Sequence, residues 1–426
     1  MTKVFIAAFL FVITSSCIKE NGRDFTLVNT KHLDHLYQEI IFKNQPAGII
    51  HIYAEYPDYK PVEAPGEGIA CIDDIARAAV FYLRNYKVTK DAASLYKARK
   101  LLDFTMNMQA ENGLFYNFIN KDFSINKTHV NSEARADWWT WRALWAMAEA
   151  LQFYERKEPA YADKIKNNIS KTLKVISFIE ENYQIMVNFE GFDLPSWLPV
   201  KFASDQAAVL IKALIPYFKI TSDSTALKMI QMLSEGIIHM QNGNADIFPY
   251  GAFLSWKNMW HAYGNSQSDA LLEAGELLGK GQYTAAALKE INYFYPYLMN
   301  ADYINFFKLK SMQDSIILAE SKQFEQIAYG IRPIVSACLK AHKITGREIY
   351  AQQAADAAAW LLGKNISGKA LYDPNTGRCF DGINSKDKIN LNSGAESTIE
   401  ALLALQKIEA DETARQLVHD YYRKHK

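Results

Sequence analysis

Cysteine is scarce in this chain, and its few copies lie far apart. The 426 residues include four cysteines, Cys17, Cys71, Cys338 and Cys379. No two are spaced as CxxC, and no two histidines are spaced as HxxxH, which are arrangements typical of structural zinc sites. Small disulfide-stapled domains carry many closely spaced cysteines. We therefore expect no disulfide framework, no bound metal and no cofactor.

An excess of charge of one sign is also missing. The chain has 47 Lys and Arg against 47 Asp and Glu, without a Lys/Arg-rich block. Nucleic-acid binding needs a basic stripe that neutralises phosphates, so we expect no nucleic-acid partner. No linker-like run of Gly, Ser or Pro divides the chain, which favours one large domain.

Long apolar runs are absent apart from a short one over residues 4–13, followed by the sequence TSSC at 14–17. This run is too short to span a bilayer. The stretch resembles a bacterial lipoprotein signal in which Cys17 becomes the lipidated first residue. We expect residues 1–17 to be a signal peptide and Cys17 to anchor the protein in the bacterial envelope, at the periplasmic or outer-membrane surface. An ordinary signal peptide or membrane anchor is the alternative.

What the chain does contain is helical periodicity almost everywhere after residue 70. Strand-like patterns are confined to 48–56 and 112–126. Short polar turns separate six pairs of helices, and their starts recur about every 61 to 68 residues, longer than the usual solenoid repeat. The first helices of the pairs begin near Asp73, Asp137, Asp205, Gln267, Pro333 and Gly394.

Long loops alternate with these short turns and should gather at one end of the helices. This alternation predicts an all-α fold, an (α/α)6 barrel of six helical hairpins, with strand pieces in the long loops and a funnel where the inner helices begin. We expect residues 66–426 to form the barrel as a monomer, and 18–65 to pack on it with a helix and a strand. The long loops span 111–136, 184–204, 243–266, 300–332 and 364–393.

Several motifs between Gly66 and Gln406 resemble those of the six-hairpin glycosidase-like superfamily, in a branch found in polysaccharide-utilisation settings. The resemblance implies the same barrel and a carbohydrate substrate. Members hydrolyse glycosides with funnel carboxylates, often with inversion, while relatives epimerise sugars or cleave uronate polymers by elimination. The motifs are GIACIDDIARAAV, DWWTWRALWAMAEA, WHAYGNSQSDALLEAG, LLGKNISGKALYDPNTGRCFDGIN and NLNSGAESTIEALLAL.

Carboxylates recur in the first turns of the inner helices, which the barrel would bring to one rim. Inverting glycoside hydrolysis needs a protonated carboxyl group and a carboxylate about 6.5–9.5 Å apart. Anionic side chains at helix starts also cap free N–H groups, and capping is the preferred interpretation of Asp205, Asp269 and Glu396. The predicted ring consists of Asp73, Asp74, Asp137, Asp205, Asp269 and Glu396.

Two of these positions stand out chemically. Because one carboxylate suffices as a cap, the second of the adjacent pair Asp73 and Asp74 should point into the funnel. Asp137 precedes three tryptophans, and a carboxyl group beside indoles is desolvated, as a general acid requires. We expect Asp137 to be the acid and Asp74 to activate water, with Glu396 in reserve.

The alternative for Asp137 is that it caps its helix and pairs with Arg135 or Arg142. In that case it would have a structural role, and the catalytic pair would have to come from the other first turns of the inner helices.

Aromatic and polar side chains of the predicted funnel loops should contact the sugar, because C–H faces of sugar rings stack on aromatic rings while hydroxyl groups seek polar partners. Arg332 stands at an inner-helix start, and residues 372–382 faintly resemble a calcium loop whose spacing argues against calcium. The predicted contacts are Trp138, Trp139, Trp256, Trp260, His261, Tyr263, Asn265, Arg332, Arg378 and Asp381.

Two other functions fit the same residues. A polysaccharide lyase would use His261, Tyr263, Asn265 and Arg332 to abstract a proton and neutralise a uronate, although the acidic rim argues against an anionic substrate. A non-catalytic, lipid-anchored glycan-binding protein would use the aromatics alone. A glycoside hydrolase acting on an oligosaccharide or polysaccharide is the favoured function.

Overall fold

Six pairs of helices follow one another along the chain in a computed structural model that describes residues 25–313 and 315–426. The predicted signal peptide and Cys17 lie outside the described residues. In chain order the helices are α1 Lys31–Leu36, α2 Ile72–Thr89, α3 Ala92–Asn107, α4 Trp138–Tyr154, α5 Pro159–Val175, α6 Phe178–Glu181, α7 Ser204–Thr221, α8 Ser224–His239, α9 Gln267–Leu278, α10 Gly281–Asn300, α11 Ile331–Thr345, α12 Glu348–Ala359, α13 Ala395–Glu409 and α14 Glu412–His425.

The first helices of the six pairs form a closed inner ring. Helices α2, α4, α7, α9, α11 and α13 each contact the next, and α13 returns to pack on α2. Each has its partner, α3, α5, α8, α10, α12 or α14, on the outside. The predicted barrel is therefore confirmed, and all six predicted starts lie close to the observed ones.

The burial of the helices follows their residue types. In α2, small side chains such as Ala76, Ala78 and Ala79 are fully buried and let neighbouring inner helices approach closely. Outer helices bury one stripe and leave a polar face to solvent. Asp91 and Asp223 cap α3 and α8 by accepting hydrogen bonds from backbone N–H groups of the first turn, so the short turns start the outer helices efficiently.

Strands are short and lie before the barrel or in the long loops. They are β1 Tyr37–Phe42, β2 Gln45–Ile50, β3 Tyr53–Glu55, β4 Lys60–Val62, β5 Ala70–Cys71, β6 Phe118–Ile119, β7 Met186–Phe189, β8 Phe192–Pro195, β9 Met259–His261, β10 Phe306–Met312, β11 Ser315–Lys322, β12 Tyr372–Asp373, β13 Arg378–Cys379, β14 Gly382–Ser385 and β15 Lys388–Asn390. Antiparallel β10 joins β11 to β9, and the other paired strands form two-stranded sheets.

The strand predictions were incomplete. Strands β2 and β3 overlap the predicted 48–56, but 112–126 contains β6 alone as a named strand. The hairpins β7–β8 and β10–β11 were not predicted. Every residue of β11 is exposed, so its sequence lacks the alternation of polar and apolar residues that marks a half-buried strand.

Before the barrel, α1 and the hairpin β1–β2 pack against it. Strand β2 contacts α3, and Leu33 and Leu36 of α1 are buried in the main core. Cys71, Cys338 and Cys379 are buried and free of disulfides. Among the described helices, none is both long and apolar enough to cross a bilayer.

Candidate active site

A cavity of about 310 Å³ opens where the inner helices begin, between the first turns of α2 and α13 and the loop that precedes α11. Acidic side chains dominate its charged lining. In the described part of the chain, one cation, Arg77, lines it alongside six acids: Glu67, Asp73, Asp74, Glu325, Asp381 and Glu396. The ring closure of α13 on α2 thus brings together carboxylates from opposite ends of the barrel sequence.

Arg77 organises this cavity. Its guanidinium is almost fully buried and contacts Asp74 Oδ1 at 2.6 Å, Glu396 Oε2 at 3.1 Å and Glu400 Oε1 at 2.8 Å. Its Nε donates to the Asp73 backbone oxygen at 3.0 Å. One arginine therefore joins α2 to α13 and fixes the relative positions of three carboxylates.

Asp74 lies deepest among the predicted catalytic acids. Its side chain is 3% exposed, and the Cys71 thiol donates to its Oδ2 at 3.2 Å. Burial raises the pKa of Asp74 to about 6, Arg77 opposes this shift, and the nearby Glu396 adds to it. A carboxyl group of this kind holds its proton into the range where a general acid works.

Glu396 and Asp73 are the more accessible carboxylates at the same mouth. The Glu396 side chain is 44% exposed beyond its contact with Arg77. Asp73 forms an ion pair with Arg142 of α4, with Nη1 and Oδ1 2.8 Å apart. Asp381 accepts hydrogen bonds from Gly394 N at 2.8 Å and the Ser397 hydroxyl at 2.6 Å.

Asp137 does not line this cavity. Its Oδ2 accepts from Arg135 Nε at 2.9 Å, and its Oδ1 accepts from Trp138 N at 2.8 Å and from Gln206 Nε2 at 2.9 Å. Of the two predicted alternatives, the capping contact and the pairing with Arg135 are formed, while Arg142 pairs with Asp73 instead. Both oxygens of Asp137 are thus already occupied by N–H donors.

The capping interpretation holds for Asp205, whose Oδ1 accepts from Gln206 N in the first turn of α7 at 2.6 Å, but it is wrong for Asp269 and Glu396. Asp269 forms an ion pair with Lys212 at 2.5 Å, which lowers the pKa of Asp269 although burial acts in the opposite direction. Ser266 at the start of α9 makes no side-chain cap, and the Ser393 hydroxyl before α13 donates to Cys379 O at 2.8 Å. The other oxygen of Asp205 pairs with His261, with Oδ2 and Nε2 3.0 Å apart, and burial raises the pKa of Asp205.

The predicted aromatic contacts divide into two groups. Trp139 and Trp260 are 3% and 4% exposed and pack in the core, which leaves them no surface on which a sugar could stack. Trp256 is half-buried, and its Nε1 donates to Lys201 O at 2.9 Å. Tyr263 is exposed and stacks on His261 with ring centroids 3.8 Å apart, and it remains available to a ligand.

Trp138 is half-buried beside a glycine that has a positive φ. A Cβ on Gly264 would lie 2.7 Å from the Trp138 ring, so the loop passes close over this indole. The Arg142 guanidinium lies over the same indole, 5.0 Å from the Trp138 ring centroid. Trp138 therefore lies beside Arg142, the ion-pair partner of Asp73, but it is not among the residues that line the cavity.

The remaining predicted contacts are largely occupied by protein partners. Arg332 is buried and pairs with Glu400, Arg378 lies over the Tyr59 ring at 4.4 Å, and Asn265 bonds to its own loop. Asp373 accepts from Asn375 N and the Thr376 hydroxyl within its turn. In residues 25–313 and 315–426, no cluster of three His, Cys, Asp or Glu side chains could hold a metal.

The sequence did not identify four central residues as part of the site, Arg77, Arg142, Tyr329 and Glu400, although Arg142 was a possible partner of Asp137. Three carry a signal that could have found them, because a charge on an inner helix that is otherwise apolar must have a buried partner. Arg77 and Glu400 also stand one helical turn after the predicted Asp73 and Glu396. Tyr329 has no such signal, since aromatic residues are common in every loop.

Comparison with protein-family models and with curated proteins finds no match to the sequence. Several solved structures share the fold. A cellobiose 2-epimerase from Bacillus thermoamylovorans B4167 aligns with a TM-score of 0.62 at 11% identity over 90% of this chain and 96% of its own. A D-mannose isomerase aligns with a TM-score of 0.56 at 12% identity over 85% of this chain and 92% of its own.

A cellulase from C. cellulolyticum, solved in complex with cellobiose, aligns with a TM-score of 0.50 at 12% identity over 84% of this chain and 86% of its own. At such low identity these likenesses show the fold alone. They agree with the (α/α)6 barrel that the sequence predicted.

Proposed function

We propose that the protein is a carbohydrate-active enzyme, and specifically a glycoside hydrolase that acts on a neutral saccharide. The supporting observation is the pair Asp74 and Glu396, two carboxyl groups from different helices that contact the same nitrogen of Arg77 in a cavity. Their environments differ: one is buried and the other is 44% exposed. Such contrasts assign acid and base roles in glycosidases.

In this proposal Asp74 donates its proton to the leaving-group oxygen, because burial raises its pKa to about 6. Glu396 is the second carboxylate, and Arg77 positions it. This assignment replaces the one made from the sequence, in which Asp137 was the acid and Asp74 the water-activating base. The reason is that Asp137 lies outside the cavity with both oxygens occupied.

The spacing of the pair predicts the stereochemical outcome. Both oxygens lie within 3.1 Å of one nitrogen, so these two oxygens are at most about 6 Å apart, a limit compatible with the roughly 5–5.5 Å carboxyl separation of retaining enzymes. We therefore expect retention of the anomeric configuration rather than inversion. Proton NMR of the first product anomer distinguishes the two outcomes.

The charge of the cavity supports a substrate without a carboxylate. Six acids line it, and its lining cation Arg77 is already paired, so a uronate would meet net repulsion. A polysaccharide lyase acting on a uronate would need an excess of basic over acidic side chains in its cavity. Arg332, assigned to the uronate in that alternative, is buried against Glu400.

The test is a hydrolysis screen against neutral oligosaccharides and uronate-containing glycans. We expect release of reducing ends from a neutral substrate, with loss of about 10²–10⁴-fold in kcat for Asp74→Asn and Glu396→Gln while saccharide binding persists. The matched control is Asp163→Asn on the outer helix α5, where an exposed carboxylate pairs with Lys166. Binding that persists without turnover in the unmodified protein would instead identify a glycan-binding protein.

A second candidate function, proton transfer as in a sugar epimerase or isomerase, is favoured by one observation. Asp205 holds His261 through Nε2, and His261 Nδ1 is buried with no partner among the described residues. A carboxylate that orients an imidazole in this way is typical of general bases. Exchange of a sugar C–H proton with deuterated solvent, lost in His261→Gln, would support this activity over hydrolysis.

We also propose that the protein is a lipoprotein of the bacterial envelope, with Cys17 as its lipidated residue and the lipid as its contact with the membrane. The apolar run followed by TSSC supports this. In a bacterial expression host, incorporation of labelled palmitate into the wild type but not into Cys17→Ser would agree with the proposal. Unlabelled wild-type protein would contradict it.

A further inference from the structure

Tyr329 lies in the loop just before α11 and lines the cavity with Asp73, Asp74 and Glu396. The residue is 3% exposed, so its hydroxyl group is nearly cut off from bulk water. Buried hydroxyl groups are normally fully hydrogen-bonded, because an unpaired donor costs the desolvation free energy of that group. The partners of this hydroxyl therefore indicate whether Tyr329 is structural or faces a ligand.

The Tyr329 oxygen has a partner, but its proton does not. Arg142 Nη2 donates to this oxygen, and a guanidinium has no acceptor to offer in return. Across the part of the chain that the structure describes, the Tyr329 O–H donates to no protein acceptor. A buried donor at the wall of a cavity is thus left for whatever occupies the cavity.

The phenol ring is held firmly in this position. The guanidinium groups of Arg77, Arg142 and Arg332, which come from three different inner helices, lie 5.0, 5.2 and 5.7 Å from its centroid. Each of these arginines is itself fixed by a carboxylate, so the ring cannot easily turn to find another partner. A donor fixed in this way requires little reorganisation on binding.

A glycine lets a neighbouring loop pass close to the hydroxyl. Gly264 has φ +78°, and a Cβ placed on it would lie 3.2 Å from the Tyr329 hydroxyl oxygen and 2.7 Å from the Trp138 ring. A side chain at this position would therefore crowd both groups. The Trp138 indole and the Tyr329 hydroxyl thus both lie next to Gly264.

We propose that Tyr329 contacts the substrate directly and that its O–H donates a hydrogen bond to one oxygen of a neutral sugar bound in the cavity. This inference rests on the proposed function, because it requires a saccharide at this place. Burial raises the pKa of Tyr329, against the effect of Arg142, so the phenol stays protonated where Asp74 titrates. The contribution of the Tyr329 hydroxyl to binding should therefore not vary with pH over the range in which Asp74 titrates.

The experiment measures binding by titration calorimetry with cellobiose, maltose, mannobiose and N,N′-diacetylchitobiose. Tyr329→Phe removes the hydroxyl and keeps the ring, and we expect about 5- to 10-fold weaker binding of the best of these disaccharides. The effect should be the same at pH 5 and pH 8. The control is Tyr154→Phe, a buried tyrosine at the far end of α4 outside the cavity lining, for which affinity should not change.

Monodeoxy analogues of the best disaccharide then identify the contact. One deoxy position should weaken binding to the wild type by the same factor as Tyr329→Phe, and should cause no further loss in that variant. Equal losses for all analogues in both proteins, or unchanged affinity in Tyr329→Phe, would overturn the inference. Difluorotyrosine at position 329 keeps the hydroxyl as a stronger donor and should retain binding, which covers the case that the phenylalanine variant does not fold.

The outcomes separate this inference from the proposed function. If the wild type binds none of the four disaccharides and cleaves no neutral glycan, both are overturned. If it binds and cleaves them and Tyr329→Phe behaves as the wild type, the contact by Tyr329 is wrong while the hydrolase proposal stands.

Discussion

At the scale of single residues, the cavity depends on the different environments of two carboxyl groups that share Arg77. Asp74 is buried between Arg77 and the Cys71 thiol, whereas Glu396 reaches solvent. Neither property is visible in the sequence, where both residues are acids in the first turn of a helix. The sequence predicted both as catalytic candidates but assigned their roles in a different order.

The first prediction concerns the pH dependence of catalysis. If Asp74 is the general acid, kcat/KM should fall as pH rises above about 6, because the proton that it donates is then lost. Asp74→Asn should abolish this decrease of kcat/KM with pH, together with most of the activity. Rates measured between pH 4 and pH 9 test this, and a rate that still rises above pH 7 would exclude Asp74 as the acid.

The second prediction concerns stability and the same residue. The pKa of Asp74 is raised from 3.8 to about 6 in the folded protein, so the folded state binds more protons than the unfolded state between these values. Stability contributed by protonated Asp74 is therefore lost as pH rises from about 4 to about 6, by roughly 3 kcal/mol at most. In urea unfolding at several pH values, Asp74→Asn should lose less stability over this interval than the wild type. Parallel curves would contradict the shift.

At the scale of elements, the helices were predictable, whereas most of the strands were not. Each inner helix buries most of its residues, and outer helices carry a polar face, so the hydrophobic period of the sequence predicts the helices. The exposed strand β11 has no such period, and β12 and β13 are two residues each. Each pairs with a neighbouring strand across a short turn, but a fully exposed strand or a strand of two residues carries too little alternation to be recognised.

Site residues follow the same division between local and distant information. The first-turn acids of α2 and α13 could be placed at one rim because the closed barrel dictates where helices begin. The burial of Trp139 could not, since it depends on the Phe115 backbone oxygen that its Nε1 reaches at 2.6 Å from a different loop. Whether a tryptophan is exposed enough to contact a sugar therefore depends on the tertiary structure and cannot be predicted from the local sequence.

The third prediction tests how the short turns start the outer helices. Asp223 accepts hydrogen bonds from Thr225 N at 2.8 Å and Ala226 N at 3.2 Å at the start of α8. Asp223→Ala should lower the free energy of unfolding by about 1 kcal/mol. Ser224→Ala, one residue later, removes a hydroxyl that bonds to nothing in the described chain and should change it by much less. Equal effects in urea unfolding would show that the cap is not responsible.

At the scale of the whole molecule, ring closure and site formation depend on the same contacts. The barrel closes where α13 packs on α2, and there Arg77 reaches Glu396 and Glu400 while Arg332 of α11 shares Glu400. Buried ion pairs gain little net stability, but removal of one partner leaves uncompensated charge. The contact between the first and last inner helices should therefore be sensitive to Arg77.

The fourth prediction follows from that arrangement. Arg77→Met keeps much of the side-chain volume but leaves the fully buried Glu400 and the nearly buried Asp74 without this cation, so it should destabilise the barrel by about 3–5 kcal/mol. Lys166→Met, which breaks a partly exposed pair with Glu155 on the outside of the barrel, should cost less than about 1 kcal/mol. Chemical unfolding compares the two. If Arg77→Met is as mild as Lys166→Met, the network does not hold the ring closed, and α2 and α13 are joined by apolar packing alone.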